Sequence, residues 1–424
     1  MGTGSDRETL VRIVALETLR PAVQPNLLLL QLHAEDGTTG LGEAFFGAAA
    51  VEAYLHETAA PVLLDAASPT PEGAARLLAP YVGYQGGGVE TRGNGAVDLA
   101  LWDLLGRRAG LPVVDLLGGA VRDRVKVYNT CAGPGYVRSS SRQVSENWGL
   151  AAPGGPGRHE DLEAFLHRPA ELAKELWAEG LRGMKVWPFD QAAERTGGTW
   201  ISQDDLEGGL AVVEAIRAAT GLGMDLMVEL HGLWNRPAAT RILEALTPYR
   251  PCWVEDPLRP DAVDALGRLA AEVEVPVAAG ETGVGRRGFL PLLERGAVDV
   301  AIVDVGWTGG LTEARKVATL ADAYGVPVAP HDCTGPVALA ACVHLVLSQP
   351  NGLVQETVRA FHRTWYPELV GGLPAVEDGQ VAAPTGPGLG VSLRDGLGDR
   401  PDVVRRVTRR PGPGPGPRNP PRRG

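Results

Sequence analysis

Six residues capable of acid–base or metal chemistry recur along the chain at almost equal intervals. Glu229, Glu255, Glu281, Asp304, His331 and Glu356 are separated by 26, 26, 23, 27 and 25 residues. Each ends or follows a short apolar run: LMVEL, WVEDP, AAGET, VAIVD, VPVAPH and LVQET. Glu229, Glu255 and Glu281, brought to one rim, would repel one another strongly unless a cation lay among them. An all-oxygen set without a thiolate favours Mg²⁺, with Mn²⁺ as the alternative, over Zn²⁺. For a single glutamate, a solvated pair with Arg or Lys would be the better reading; for three in register it is not.

His331 and Asp304 end neighbouring apolar runs, so the carboxylate can hold one imidazole nitrogen and leave the other as a general base. His231 lies two residues beyond Glu229 and on an extended chain faces the same way; it reads as a general acid, a substrate contact, or a partner of a carboxylate. Lys185, in GMKVWPFD, shares a face with Trp187 and could stabilise a carboxylate, take a proton, or pair with a metal-binding glutamate. Glu356 could hydrogen-bond a substrate oxygen if protonated, or pair with a cation.

One strand, one helix and two loops take up about the length of each interval. A ring of parallel strands would carry all six side chains to one end, as in a (β/α) barrel. Eight strand candidates follow from Val125: VKVYN, GMKVW, DLMVEL, CWVE, PVAA, VDVAIV, VPVA and LVQE. With helical patterns between them they predict an α/β fold, a modified TIM barrel of (β/α)₇β type over residues 126–365. Residues 1–125 read as a separate α+β domain, with strand-like VRIVALETL and NLLLLQLHA, a turn at Asp36-Gly37, and a helix from about Gly95 to Arg108. The Ser/Gly/Pro-rich stretch 139–160 follows the first barrel strand and suits a lid or substrate wall, or else a disordered insertion. Residues 366–398 read as a return segment. Residues 399–424, ending in PGPGPGPRNPPRRG, read as a disordered tail.

The chain has 424 residues with 40 basic and 51 acidic side chains. Residues 400–424 hold eight Arg and one Asp, which leaves 32 basic against 50 acidic, or −18, elsewhere. Such a body is repelled by nucleic acid and by anionic membrane surfaces, so neither is an expected partner. Four scattered cysteines suit reduced thiols and a cytoplasmic location, and no apolar run is long enough for a membrane span or signal peptide. GVGRRG at 283–288 matches a GxGxxG pattern, but a dinucleotide fold would leave the other rim residues unexplained.

Taken together, AVDLALWDLLGRRAGLPVVDLLGG, VEDPL, AGET, the Asp304/His331 pair and DGQVAAPTGPGLG make the chain resemble the enolase superfamily, in its mandelate racemase-like branch, from about residue 10 to 395. The resemblance implies that the N-terminal domain caps the barrel, with 366–398 packing on it and loops near Leu19–Asn26 and Phe45–Ala50 closing over the substrate. It also implies one Mg²⁺ held by the three glutamates, removal of a proton α to a carboxylate, and a homo-oligomer. Three departures from the branch stand out: Glu229 replaces the usual Asp, Trp187 replaces the second Lys of a Lys-x-Lys pair, and His231 stands where many members have Asn. The missing Lys disfavours a two-base racemase, and a His at 231 is similar to certain sugar-acid dehydratases. The expected function is therefore Mg²⁺-dependent dehydration of a small-molecule sugar acid to a 2-keto-3-deoxy acid. The rivals are an epimerase or cycloisomerase acting through the same enediolate, a non-catalytic sugar-acid binding protein, and a zinc hydrolase, against which KVYNT offers no His-x-His.

Overall fold

The computed structural model describes residues 11–79, 87–150 and 159–410. The stretch 151–158 of the long loop and the tail from 411 onward lie outside the described residues.

Three antiparallel strands open the chain: β1 (Ile13–Pro21), β2 (Leu27–Ala34) and β3 (Thr39–Phe45). The run of leucines in β2 is sorted by the two-residue period of a strand. Leu28, Leu30 and Leu32 enter the core of the N-terminal unit, whereas Leu27 and Leu29 enter the large core shared with the barrel. Both faces are covered, so the strand reads as a continuous apolar run instead of an alternation. The turn falls at Asp36-Gly37 as expected, where Gly37 has φ 86° and the Thr38 N–H donates to Asp36 Oδ1 at 2.9 Å.

The helix expected from Gly95 begins earlier, spanning Val89–Ala109. Its first turns lack apolar periodicity because Arg92 reaches the cavity described below, Glu90, Thr91 and Asn94 line a separate hollow, and Asn94 accepts from the Tyr54 hydroxyl at 2.7 Å. Its apolar residues from Val97 onward pack against β3.

Eight parallel strands follow: β4 (Val125–Thr130), β5 (Gly183–Val186), β6 (Asp225–Glu229), β7 (Trp253–Glu255), β8 (Val277–Ala279), β9 (Val300–Val303), β10 (Val328–Pro330) and β11 (Gln355–Thr357). Each of β4 to β9 pairs with its successor, and β11 returns to pair with β4. Between β10 and β11 the ladder shrinks to one parallel bridge, Val328 with Gly352. All eight strand candidates are therefore present, and the chain has the modified barrel with an N-terminal α+β unit. Tyr128, Met227, Trp253, Ala278, Ile302 and Ala329 fill the interior below the functional rim. Polar side chains are left to the C-terminal strand ends, as in other barrels of this kind.

One expectation fails at its boundary. Residues 403–409 are not disordered but form a fourth strand of the N-terminal sheet, antiparallel to β1. The reason lies in charge and pairing: Arg405 Nε donates to Glu17 Oε1 at 2.5 Å, Arg406 pairs with Glu57, and the strand covers an otherwise open edge of β1. The arginines counted as a loose tail thus partly neutralise the acidic body. Further upstream, Gln380 and Val381 pair with β4, and the Leu389 N–H donates to Asp103 Oδ1 at 2.7 Å on the Val89–Ala109 helix.

The N-terminal unit sits on loops at the functional end of the barrel. Gly95 shows how closely: a Cβ there would lie 2.4 Å from the Gly306 carbonyl oxygen, so only glycine lets the helix rest on the loop after β9. On the opposite side, Asn26 Nδ2 donates to the carbonyls of Val137 and Ser140, which ties the turn between β1 and β2 to the long loop after β4.

Candidate active site

Glu229 and Glu255 end β6 and β7 and are paired in register, and Glu281 follows β8 by two residues. The turn before Glu281 depends on Gly280, whose φ of 124° is closed to most side chains and whose Cβ would meet Phe289 and the Ile302 carbonyl. Each glutamate offers an oxygen within 4.8 Å of the others. Burial and the neighbouring charges of Glu229 and Glu356 push Glu255 up to about 8 despite Lys185, and burial likewise raises Glu281. Glu229 is equally buried but is held low by His231 and Lys185, and its Oε2 receives no hydrogen bond. Three carboxylates in contact, two of them pushed toward neutrality by burial and the third with an oxygen that accepts no hydrogen bond, fit a divalent cation.

Lys185 lies among carboxylates, with Nζ 2.8 Å from Glu255 Oε1, 3.0 Å from Glu356 Oε1 and 3.5 Å from Glu229 Oε2. Burial acts to discharge it, but Glu255 and Glu356 raise its pKa well above the ordinary value. Of its readings, the ion pair with a glutamate is the one the geometry displays. Glu356 is the counterpart: despite burial, Lys185 and His331 hold it down at about 2, and it accepts from the Thr130 hydroxyl and, at 2.8 Å, from the Asp332 N–H. Its contact with Lys185 at 3.0 Å is the cation pair among its readings.

His331 follows β10, and its Nδ1 lies 2.7 Å from Asp304 Oδ2. The other Asp304 oxygen accepts from the N–H groups of Gly306 and Trp307, both at 2.7 Å. This carboxylate has only acceptors to offer, so Nδ1 carries the proton and Nε2 faces the cavity, 3.3 Å from Glu281 Oε2. Burial lowers the pKa of His331, but Glu281, Glu356 and Asp304 outweigh it and raise it well above the usual imidazole value; a cation held by Glu281 would cancel the largest of these raising charges and favour the neutral ring, with Nε2 open to a proton.

His231 occupies the other side of the barrel, beyond the third of its eight strands, while His331 stands beyond the seventh. It has φ 50°, and its backbone N–H donates to Glu229 Oε1 at 2.7 Å. Its Nδ1 is 2.7 Å from Asp190 Oδ2, which also accepts from Gln143 Nε2 at 3.1 Å. Burial opposes the charge, yet Asp190 and Glu229 raise His231 to about 9. Each histidine thus has its own aspartate.

Lys185, Glu229, His231, Glu281, His331 and Glu356 line one cavity of about 300 Å³ together with Phe46, Arg92, Thr130, Tyr136, Gln143, Trp187, Trp307 and Cys333, while Glu255, Asp304 and Asp190 stand behind its wall. Phe46 comes from the loop after β3, and Ser141, Arg142 and Gln143 from the loop after β4, which forms a wall of the site in its described part. Sequence reasoning missed Asp190, Gln143, Arg92 and Trp307. Asp190 is only five residues beyond Lys185, and that proximity to a barrel strand end was a usable signal. Arg92 had none, because its helix joins the site only in three dimensions. In the GVGRRG stretch the Gly285 N–H donates to Thr308, and Arg286 pairs with Glu313.

Residues 168–397 match the family described as enolase C-terminal domain-like, and residues 12–118 match the mandelate racemase/muconate lactonizing enzyme N-terminal domain. The chain belongs to the mandelate racemase branch of the enolase superfamily. A D-galactonate dehydratase of Ralstonia nicotianae is 30% identical over 394 residues, covering 91% of this chain and 93% of its own. The corresponding protein of Xanthomonas oryzae is 30% identical over 409 residues, covering 95% of each. Among solved structures, an enolase of the mandelate racemase subgroup from Agrobacterium tumefaciens is 42% identical with a TM-score of 0.82, covering 94% of this chain and 99% of its own. Among the described residues, no helix is long and apolar enough to cross a membrane.

Proposed function

We propose that the protein is a metal-dependent acid-sugar dehydratase that converts a sugar acid to a 2-keto-3-deoxy acid. The observation that carries this reading is the pair of aspartate-backed histidines on opposite sides of one cavity, with the glutamate triad beside them. Glu229, Glu255 and Glu281 would hold Mg²⁺, which when bound supplies positive charge to an enediolate formed from the substrate carboxylate.

His331 Nε2 takes the proton from the carbon next to the carboxylate, since Asp304 keeps the other ring nitrogen protonated. Asp304 also stabilises the imidazolium that results. His231, kept charged by Asp190, donates its proton to the β-hydroxyl as the C–O bond breaks, so the leaving group departs as water. The enol that remains tautomerises to the 2-keto acid. Lys185 and Glu356 position carboxylates and neutralise charge, and neither is free to act as a second base. The small-molecule partner, the cytoplasmic location and a homo-oligomeric state belong to the same reading.

The test is incubation of the purified protein and Mg²⁺ with a panel of hexonates, hexarates and pentonates, followed by assay for 2-keto acid. The expected result is turnover that chelation abolishes and Mg²⁺ restores. Exchange of the α-hydrogen with solvent deuterium, with no keto product from any substrate, would replace the dehydratase with an epimerase or cycloisomerase.

A further inference from the structure

Among the described residues, Arg92 is a cation without an anion. It projects from the first turns of the Val89–Ala109 helix into the cavity that holds His331 and Glu281. Its guanidinium lies 5.4 Å from the ring centre of Trp307 and 5.9 Å from that of Phe46. Among the described residues no carboxylate lies within ion-pair distance of it, and its buried Nε has no hydrogen-bond acceptor. Asp304 favours its charge from a distance, while burial disfavours it.

The placement is built, not incidental. Gly95, one turn further along, lets the helix rest on the backbone at Gly306, and this contact sets Arg92 over Trp307. Trp307 in turn stacks against His331 at 5.0 Å between ring centres. Leaving such a cation partly desolvated and unpaired is costly, and an arriving anion would remove the cost. That anion need not be the reacting carboxylate, whose charge falls to the metal set on the barrel rim. Arg92 stands on the N-terminal unit, whereas the three glutamates stand on the barrel.

We propose that Arg92 forms a distal anion subsite, so that the preferred substrates are acid sugars with a carboxylate at each end, aldarates and not aldonates. The proposal rests on the dehydratase reading and adds to it a substrate class that differs from the D-galactonate in the relatives' names. The planar guanidinium can donate two parallel hydrogen bonds to a carboxylate but has no comparable match in a terminal hydroxymethyl group. A charge-assisted contact of this kind is worth roughly ten- to a hundredfold in affinity.

The experiment is titration calorimetry with Mg²⁺ and the turnover-blocked His331→Asn protein, comparing galactarate with D-galactonate and D-glucarate with D-gluconate. At least one hexarate should bind tenfold or more tightly than its matched hexonate. Adding Arg92→Met, whose side chain can still pack against the aromatic rings, should bring the two within about threefold by weakening only the hexarate. Arg92→Lys should keep part of the preference, and Arg142→Ala tests whether the other arginine of the cavity wall carries it instead. Equal affinity for both classes, equal loss of both in Arg92→Met, or a preference that follows Arg142 would overturn the proposal. Binding is read without catalysis, so a hexarate preference in a protein that yields no 2-keto acid would sink the dehydratase and leave the subsite. Rapid turnover of hexonates with no dicarboxylate preference would do the reverse.

Discussion

Replacing Asp304 by Asn changes one atom and should nearly silence the enzyme. In the native protein Asp304 Oδ1 accepts the Gly306 and Trp307 N–H groups at 2.7 Å each, while Oδ2 faces His331 Nδ1 at 2.7 Å. The two backbone donors would claim the amide oxygen of an asparagine, so its NH₂ group must point at Nδ1. Imidazole would then accept at Nδ1 and carry its proton on Nε2, the atom that has to receive the substrate proton. All three hydrogen bonds survive, so the thermal midpoint should barely move. Asp304 does not line the cavity, so KM should stay within about threefold. The turnover number should fall by roughly 10³- to 10⁴-fold, the size expected of a catalytic histidine locked in the wrong tautomer, or about 4–5.5 kcal/mol of barrier. Steady-state 2-keto acid formation and solvent deuterium exchange at the α-carbon should fall together. A turnover number within tenfold of wild type, in a variant that still folds and binds Mg²⁺, would show that His331 is not the base or that Asp304 does not set its tautomer.

Other perturbations separate the remaining parts. His231→Asn, chosen because asparagine tolerates the φ of 50° at this position, should keep α-deuterium exchange but cut 2-keto acid formation by roughly 10²-fold or more; equal loss of both would remove His231 from the elimination step. Gly95→Ala would place a methyl group 2.4 Å from the Gly306 carbonyl, costing about 1–3 kcal/mol in a thermal or urea melt, and an unchanged melt would mean that the N-terminal unit does not rest there. His344 ties three segments together in its neutral form: the Val114 N–H donates to Nδ1, and Nε2–H donates to the Leu389 carbonyl, both at 3.2 Å. Burial lowers its pKa to about 4 from the ordinary 6.5, so the unfolded chain binds the extra proton first, and the stability this group contributes is complete above pH 6.5 and drains away toward pH 4. That window is worth roughly 3 kcal/mol, and in urea titrations His344→Gln should take up about one proton fewer than wild type on unfolding across it; identical pH slopes would refute the assignment.

The sequence was most legible where chemistry and strand ends coincide. A barrel repeats one unit, so residues needed at one rim must recur at the unit's length, and this is why Glu229 to Glu356 could be placed without coordinates. What it concealed came from elements that reach the site by packing. Arg92 lies more than a hundred residues before the first glutamate, on a helix whose apolar pattern starts only at Val97. Of the polar residues that make it look like a weak helix start, Arg92 faces the cavity, while Glu90, Thr91 and Asn94 line a separate hollow. Asp190 was hidden for the opposite reason: it stands close to Lys185 in sequence but gains meaning only beside His231, 41 residues and one barrel strand further on.

The strand at 403–409 makes the same point about energetics. VVRRVTR beside a Pro/Gly repeat looks like the start of a disordered tail, because composition measures what a segment can bury alone. Paired with β1, these residues need little core of their own: the backbone bonds close an edge, and Arg405 and Arg406 meet Glu17 and Glu57. A segment's own hydrophobicity therefore underestimates its order when the partner edge and the countercharges sit nearly four hundred residues upstream. Arg92 is the inverse case, a cation for which the described chain supplies no countercharge, and what distinguishes the two is whether the partner belongs to the protein or to its substrate.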